Sequence, residues 1–418
     1  SGVLLASGVD KSAPIRITIT VNAVNDAPRF IKGANQQINE DALDPVDNTR
    51  LQTVRGWATS ISRGPLSATD EVSQALTFKV VPVPSGLLIG NLAFTAPPAI
   101  DPVTGNLTYE TVPDTNGTRV FRVTLEDDGN GVFPNVNTST VETLTISVAA
   151  VNDPPSFNIA GTSQTINEDA PLQTVQGFVS NISRGPAMPS DEDGQVLTFN
   201  VAATTTIAGI TTDASAVFSQ FPSVSTVNGN LTYQILPDVN GVFVISLELD
   251  DSGTGPTSPP NNDKSPKQTF TITVNPINDA PKFTLVDQNT STPGVVDLSI
   301  NEDAGPVMIS GFATGVSRGP IDESTQVLAF DLTVQSTTRS LAFTTPPAIS
   351  LNSADGQLTF QTAPNTNGSA IIVVSLRDDG NGTAPHANTS APQTFTVNVN
   401  SVNDSPFVAN AVADFAVN

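Results

Sequence analysis

The 418 residues include 40 Asp and Glu against 17 Lys and Arg, a net charge of −23 that repels nucleic acid and anionic membrane surfaces and draws cations. No cysteine is present, so disulfides and thiolate metal sites are excluded, and no run of about 18 apolar residues offers a membrane span. With 38% hydrophobic residues, 29 Gly, 33 Pro, abundant Thr, Val and Asn, and no sustained helical periodicity, the chain reads as all-β.

In chain order, an alternating strand from Ile15 to Val21 runs into Val24-Asn25-Asp26-Ala27-Pro28. The proline forbids helix and stiffens this joint, and Asn-Asp offers two side-chain oxygens. Ile38-Asn39-Glu40-Asp41 follows, then Gly56-Trp57, Ser62-Arg63-Gly64-Pro65 and an acidic turn, Asp70-Glu71, ahead of a strand at Leu76-Thr77-Phe78. The short strand Leu107-Thr108-Tyr109 leads to Pro113-Asp114-Thr115-Asn116-Gly117, where Asn-Gly supplies the positive φ of a tight turn. The next strand alternates, with Phe121, Val123 and Leu125 inward and Arg122, Thr124 and Glu126 outward, and it ends in Asp127-Asp128-Gly129. A last strand, Leu144 to Val148, reaches a second joint, Val151-Asn152-Asp153-Pro154-Pro155.

The whole series then recurs. Further joints stand at Ile277-Asn278-Asp279-Ala280-Pro281 and Val402-Asn403-Asp404-Ser405-Pro406, so the joint Asn residues lie 127, 126 and 125 positions apart. That period divides the chain into modules at 26–152, 153–278 and 279–403, with 1–25 as the last strand of a preceding module and 404–418 as the first strand of a following one. The Asn-Glu-Asp motif returns at Asn167-Glu168-Asp169 and Asn301-Glu302-Asp303, the acidic turn at Asp191-Glu192-Asp193 and Asp322-Glu323, and the Asp pair at Asp250-Asp251 and Asp378-Asp379. About seven short strands per module fit a two-sheet Greek-key sandwich of immunoglobulin type. Modules joined through their first and last strands string out into an extended rod that needs only nearest-neighbour contacts.

The order of these motifs, with Val-Asn-Asp-x-Pro-x-Phe closing each period (Val24 to Phe30, Val151 to Phe157, Ile277 to Phe283), resembles the bacterial cadherin-like tandem repeats of very large secreted adhesins and surface fibres. The resemblance spans nearly the whole chain and implies calcium between successive modules. Carried over by motif, the first junction uses Glu40, Asn152, Asp153, Asp191, Asp193 and Asp250, and the second uses Glu168, Asn278, Asp279, Asp322 and Asp378. The sequence departs from the pattern in two places. The Asp expected two residues before the joint Asn is replaced by Ala23, Ala150, Pro276 and Ser401. The Asp-Arg-Glu segment has no match, although Asp114 and Asp238 sit nearby, with Asn365 in the third module. A metal-free reading competes, in which Asp-Asp-Gly and Asn-Asp-x-Pro are solvated Asx turns.

The resemblance implies a structural stretch of a long extracellular fibre or adhesin at a cell surface, whose partners are neighbouring modules or copies of the same fibre. The alternative is an array whose module-end loops recognise a glycan or a protein, with the insertion from Thr204 to Pro222 as the candidate loop. Arg63, Arg184 and Arg318 recur in register, to pair with the acidic turn or as incidental surface charge. Trp57 aligns with Phe178 and Phe312, which makes it a core aromatic rather than a sugar platform. Catalysis has little to rest on: His386 is the one histidine and has no counterpart in the other modules, and triplicated carboxylates do not describe a single cleft. Lysines are out of register, which disfavours Lys-Asn crosslinks.

Overall fold

A computed structural model describes residues 12–84, 89–186, 191–207, 210–253, 262–288, 295–352 and 355–406. In the first repeat the strands are β1 (Arg29–Ile31), β2 (Gln36–Asn39), β3 (Gln52–Val54), β4 (Thr59–Ser62), β5 (Leu76–Pro82), β6 (Ile89–Gly90), β7 (Phe94–Ile100), β8 (Leu107–Thr111), β9 (Gly117–Asp127) and β10 (Glu142–Ala149). One sheet runs β2-β10-β9-β5, with β6 also on β9, and facing it are the pair β1-β4 and the three-stranded β3-β8-β7. β2 lies parallel to β10 and every other pairing is antiparallel, so the first strand crosses from one sheet to the other between Ile31 and Gln36. This is the Greek-key sandwich of immunoglobulin type expected from the spacing of short alternating strands.

The third repeat explains why one strand looks like two. There Val307–Ser317 is continuous and pairs with both Lys282–Leu285 and Asp355–Thr362. In the first repeat the same path is divided into β3 and β4, and in the second into Gln173–Val175 and Val179–Ser183, although all three repeats take positive φ at the same two places, Gly56 and Ser60, Gly177 and Asn181, and Gly311 and Gly315. The second repeat also carries a hairpin: Thr198–Ile207 pairs on its outer side with Ile210–Asp213, which adds an edge strand to the sheet within the sequence insertion.

Period-two alternation builds three separate apolar clusters, one per sandwich. Phe121, Val123 and Leu125 face inward, as do Leu144, Ile146 and Val148 on the neighbouring strand. Trp57, Phe178 and Phe312 are all buried at equivalent positions, and the Trp57 indole N–H donates to the Ala34 carbonyl at 2.8 Å. Phe312 meets Phe395 edge-on at 4.9 Å.

Two expectations about the ends fare differently. Ile15 to Val21 forms no strand, and Ile15, Ile17, Ile19 and Val21 are 81% to 89% exposed, because an alternating segment becomes a strand only against a hydrogen-bonded neighbour. The strand expected at 404–418 falls mostly outside the described residues. Among the described residues, no helix is long and apolar enough to cross a membrane.

Because the apolar clusters are separate, Phe312→Ala is expected to cost about 3–5 kcal/mol in the third sandwich only. In a urea melt followed by site-specific probes, the third transition shifts and the first two stay in place.

Candidate metal centres at the joints

Each joint is built from both sides. From the preceding sandwich comes the Asn-Glu-Asp motif at the end of the strand that lies parallel to the last one. Glu40 Oε1 accepts the Val151 N–H, and Glu168 Oε1 accepts the Ile277 N–H at 2.6 Å. Both Glu side chains are buried, and the Glu40 carboxyl is pushed up to about 7 by that burial, with the Asp191 charge adding to it and the Val151 and Asn116 hydrogen bonds opposing.

The Asp that follows each Glu takes the left-handed conformation, with φ of 58° at Asp41 and 60° at Asp169, as do Asp114 and Asp238 in the nearby turn. Asp tolerates this region better than most residues. The result is that three carboxylates converge. Oxygens of Asp41, Asp114 and Asp153 lie within 4.8 Å of one another at the first joint, and those of Asp169, Asp238 and Asp279 do so at the second. The Asp153 carboxyl is pushed up to about 6, first by burial and then by Asp114, Asp41 and Asp191. Arg50 answers one charge through its 2.8 Å pair with Asp41. Asp279 is raised for the same reasons, with burial first, followed by Asp169, Asp238 and Glu168.

From the following sandwich comes the acidic turn, whose two residues divide the work. Asp191 reaches back across the joint to the Asn116 amide at 3.1 Å, and Asp322 does the same to Asn240 at 2.9 Å. The adjoining Glu turns inward: Glu192 Oε1 accepts the Asp153 N–H and Glu323 Oε1 the Asp279 N–H, each at 2.6 Å. Room for these buried carboxylates comes from the glycine of Ser-Arg-Gly-Pro, since a Cβ on Gly185 would stand 1.8 Å from Glu192 Oε2. The recurring arginines do not pair with the acidic turn. Each guanidinium Nε instead donates to the backbone carbonyl of the Gln beyond it, as Arg63 does to Gln74, Arg184 to Gln195 and Arg318 to Gln326.

The joint Asn sits behind this layer. Asn152 Nδ2 donates to the Asp251 carboxylate at 3.2 Å and to the Asn262 carbonyl at 2.8 Å, and Asn278 Nδ2 to Asp378 at 3.1 Å and to the Ala387 carbonyl at 2.8 Å. In the second sandwich the counterpart of Asp378 is therefore Asp251, one residue beyond Asp250. Asp250 turns to Lys264 and Asn200, at 2.5 and 2.6 Å. Asp193 is exposed, and the buried member of its turn is Glu192. The structure thus brings Glu40, Asp153 and Asp191 together with Asp41, Asp114 and Asn116, and Glu168, Asp279 and Asp322 together with Asp169, Asp238 and Asn240. His386 accepts the Asn278 N–H on Nδ1 at 2.8 Å, the position that Asn135 fills for Asn25.

A cation is the group these residues fit. Glu71 Oε2, Asp127 Oδ2, Asp279 Oδ2, Glu323 Oε2 and Asp378 Oδ2 are buried oxygens with no hydrogen-bond donor, and a hard divalent ion takes six to eight oxygens of this kind.

No protein-family model matches the chain, and no curated protein matches it. Among solved structures, extracellular domains 1–3 of mouse protocadherin-24 align at 14% identity over 93% of this chain and 100% of that one, with a TM-score of 0.33. Domains 1–2 of chicken VE-cadherin align at 13% identity over 58% of this chain and all of that one, with a TM-score of 0.21. Three N-terminal domains of the bacteriophage RB49 outer capsid protein Hoc align at 12% over 91% and 100%, with a TM-score of 0.20. At such scores the fold rests on the strand topology.

Two outcomes follow. Glu40 and Glu192 have carboxyls raised from 4.5 to about 7, so the protonated form is favoured by folding, and the stability this lends is complete below pH 4.5 and lost as pH rises through 7. In metal-free buffer, calorimetry is expected to show the melting temperature falling over that interval. Gly185→Ala should displace Glu192 from the Asp153 N–H and lower stability by about 1–3 kcal/mol in urea unfolding.

Proposed function

We propose that this chain is a structural repeat region of a long extracellular fibre or adhesin at a cell surface, in modules at 26–152, 153–278 and 279–403 whose joints are braced by calcium. The observation that carries the reading is the pair of cross-joint carboxylate triads, Asp41, Asp114 and Asp153 and then Asp169, Asp238 and Asp279, each made of residues from two successive sandwiches. Two carboxylates about 4 Å apart repel by roughly 4 kcal/mol at an effective dielectric of about 20. Left alone, such a triad pushes neighbouring modules apart. A divalent ion turns the same geometry into a clamp, and it acts on module orientation because its ligands belong to both modules.

Of the ligands suggested by the family resemblance, Glu40, Asp153, Asp191, Glu168, Asp279 and Asp322 stand at the joint, with Asp41, Asp114, Asp169 and Asp238 added to them. The ion supplies compact positive charge for those oxygens to surround, and the chain's part is to hold them at fixed positions. With affinity of about 10⁻⁴ M and millimolar calcium, each site adds roughly 1.4 kcal/mol by mass action. The acidic surface then also keeps parallel fibres apart.

Thermal unfolding in chelator and in millimolar calcium tests this reading. Calcium is expected to raise the midpoint, and Asp153→Ala to remove most of the gain at the first joint. Equal midpoints in the two buffers would contradict it. A second reading, glycan or protein recognition, draws on the exposed hairpin of the second sandwich, where Ile207 and Ile210 face solvent. Deleting that hairpin is expected to abolish glycan-array or partner binding if this reading holds.

A further inference from the structure

Buried amides at the joints must be oriented by their neighbours, and here the neighbours leave one choice. The Asn278 amide faces two acceptors, Asp378 Oδ1 and the Ala387 carbonyl, so Nδ2 points at them and Oδ1 points away. Facing Oδ1 is Gln326, which must offer Nε2, and does so at 2.5 Å. Gln326 Oε1 is then left buried with no donor. The same chain of constraints holds at Asn25 with Gln74 and at Asn152 with Gln195. In both of these, too, the Gln Oε1 is buried and without a donor.

An orphaned amide oxygen is costly to bury, and three in register are not an accident of one loop. Other oxygens of the same acidic turns and Asp pairs are in the same condition. Glu323 and Asp378 are 4% and 2% exposed, and Glu323 Oε2 and Asp378 Oδ2 lack donors, as do Glu71 Oε2 and Asp127 Oδ2 in the first sandwich. At the first joint Gln195 also lines a polar cleft with Asn152 and Asp191.

We propose that Gln74, Gln195 and Gln326 each give their Oε1 as a neutral oxygen ligand to a divalent cation, and that the joint Asn is a positioning residue that holds this amide through Oδ1. This rests on the calcium reading above and changes its ligand set: Asn152 and Asn278 act through the Gln. The chemistry suits the ion, because a hard cation accepts amide oxygen alongside carboxylate, and a neutral ligand fills a coordination place without adding to the repulsion at the joint. The Arg that donates to the Gln backbone carbonyl fixes the other end of the same residue.

The test replaces all three Gln residues by Met, which keeps the volume, and in a second protein by Glu, which keeps an oxygen. Calcium affinity is read by calorimetry, and terbium(III) luminescence lifetimes in H₂O and D₂O count the waters on the bound ion. The Met variant is expected to bind calcium about tenfold more weakly and to gain bound water, while the Glu variant keeps the wild-type hydration. If the wild type binds calcium and the Met variant shows the same affinity and hydration, the assignment to Gln is overturned and the calcium reading stands. If the wild type binds neither calcium nor terbium, the calcium reading itself falls. Should the Met variant fail to fold, the Glu variant decides: added bound water there overturns the assignment.

Discussion

Taking a carboxylate out of water without a counter-charge costs several kcal/mol, and the joints of this chain do so repeatedly. Glu40, Glu71, Glu168, Glu192 and Glu323 are all nearly inaccessible, and Arg50 is the cation that meets the first triad. What holds these groups in place is backbone: in each case one carboxylate oxygen receives an N–H from the joint itself, from Val151, Asp26, Ile277, Asp153 or Asp279. In Glu71 and Glu323 the second oxygen is spare, whereas in Glu40 and Glu168 it accepts from the Asn116 and Asn240 amides. The rest of the architecture follows from accommodating that spare charge, in the glycines that leave room for it, the left-handed Asp residues that turn toward it and the Asn amides that bridge it.

The sandwich supplies rigidity for this purpose. Its first strand switches sheets and ends beside the last strand in parallel, so the Glu at the end of one and the joint at the end of the other emerge together. The acidic turn of the next sandwich lies opposite because its Glu is tied to the joint Asp backbone. Successive sandwiches are thus joined by six residues of connecting chain, at 150–155 and at 276–281. The raised carboxyls of Glu40, Asp153 and Asp279 belong to the joints, apart from the three separate apolar cores.

Much of this is legible in the sequence because it repeats. The motifs recur in one order along the chain, and alternation located the inward faces of the strands, down to Phe121, Val123 and Leu125. Loops resist the same reading, since neither a period nor a burial pattern governs them. Asp250 and Asp251 are adjacent, and it is the contacts with Lys264 and Asn200 that hold the first away from the joint Asn. Asp41 sits beside Glu40, and its part depends on a left-handed φ that sequence does not announce. The Gln residues lie in register, at Gln74, Gln195 and Gln326, yet a lone polar residue before a strand carries no signal until its amide partners are seen. The recurring Arg was visible and its partner was not, because a backbone carbonyl has no letter in the sequence.

The most direct measurement of the central claim is the distribution of distances between spin labels on the first and second sandwiches, read by pulsed electron resonance in chelator and in millimolar calcium. Closure of the Asp41, Asp114 and Asp153 triad by an ion predicts a broad distribution in chelator that narrows in calcium. Equal widths in both would contradict it, and the stiffness of the joint would then rest on its prolines.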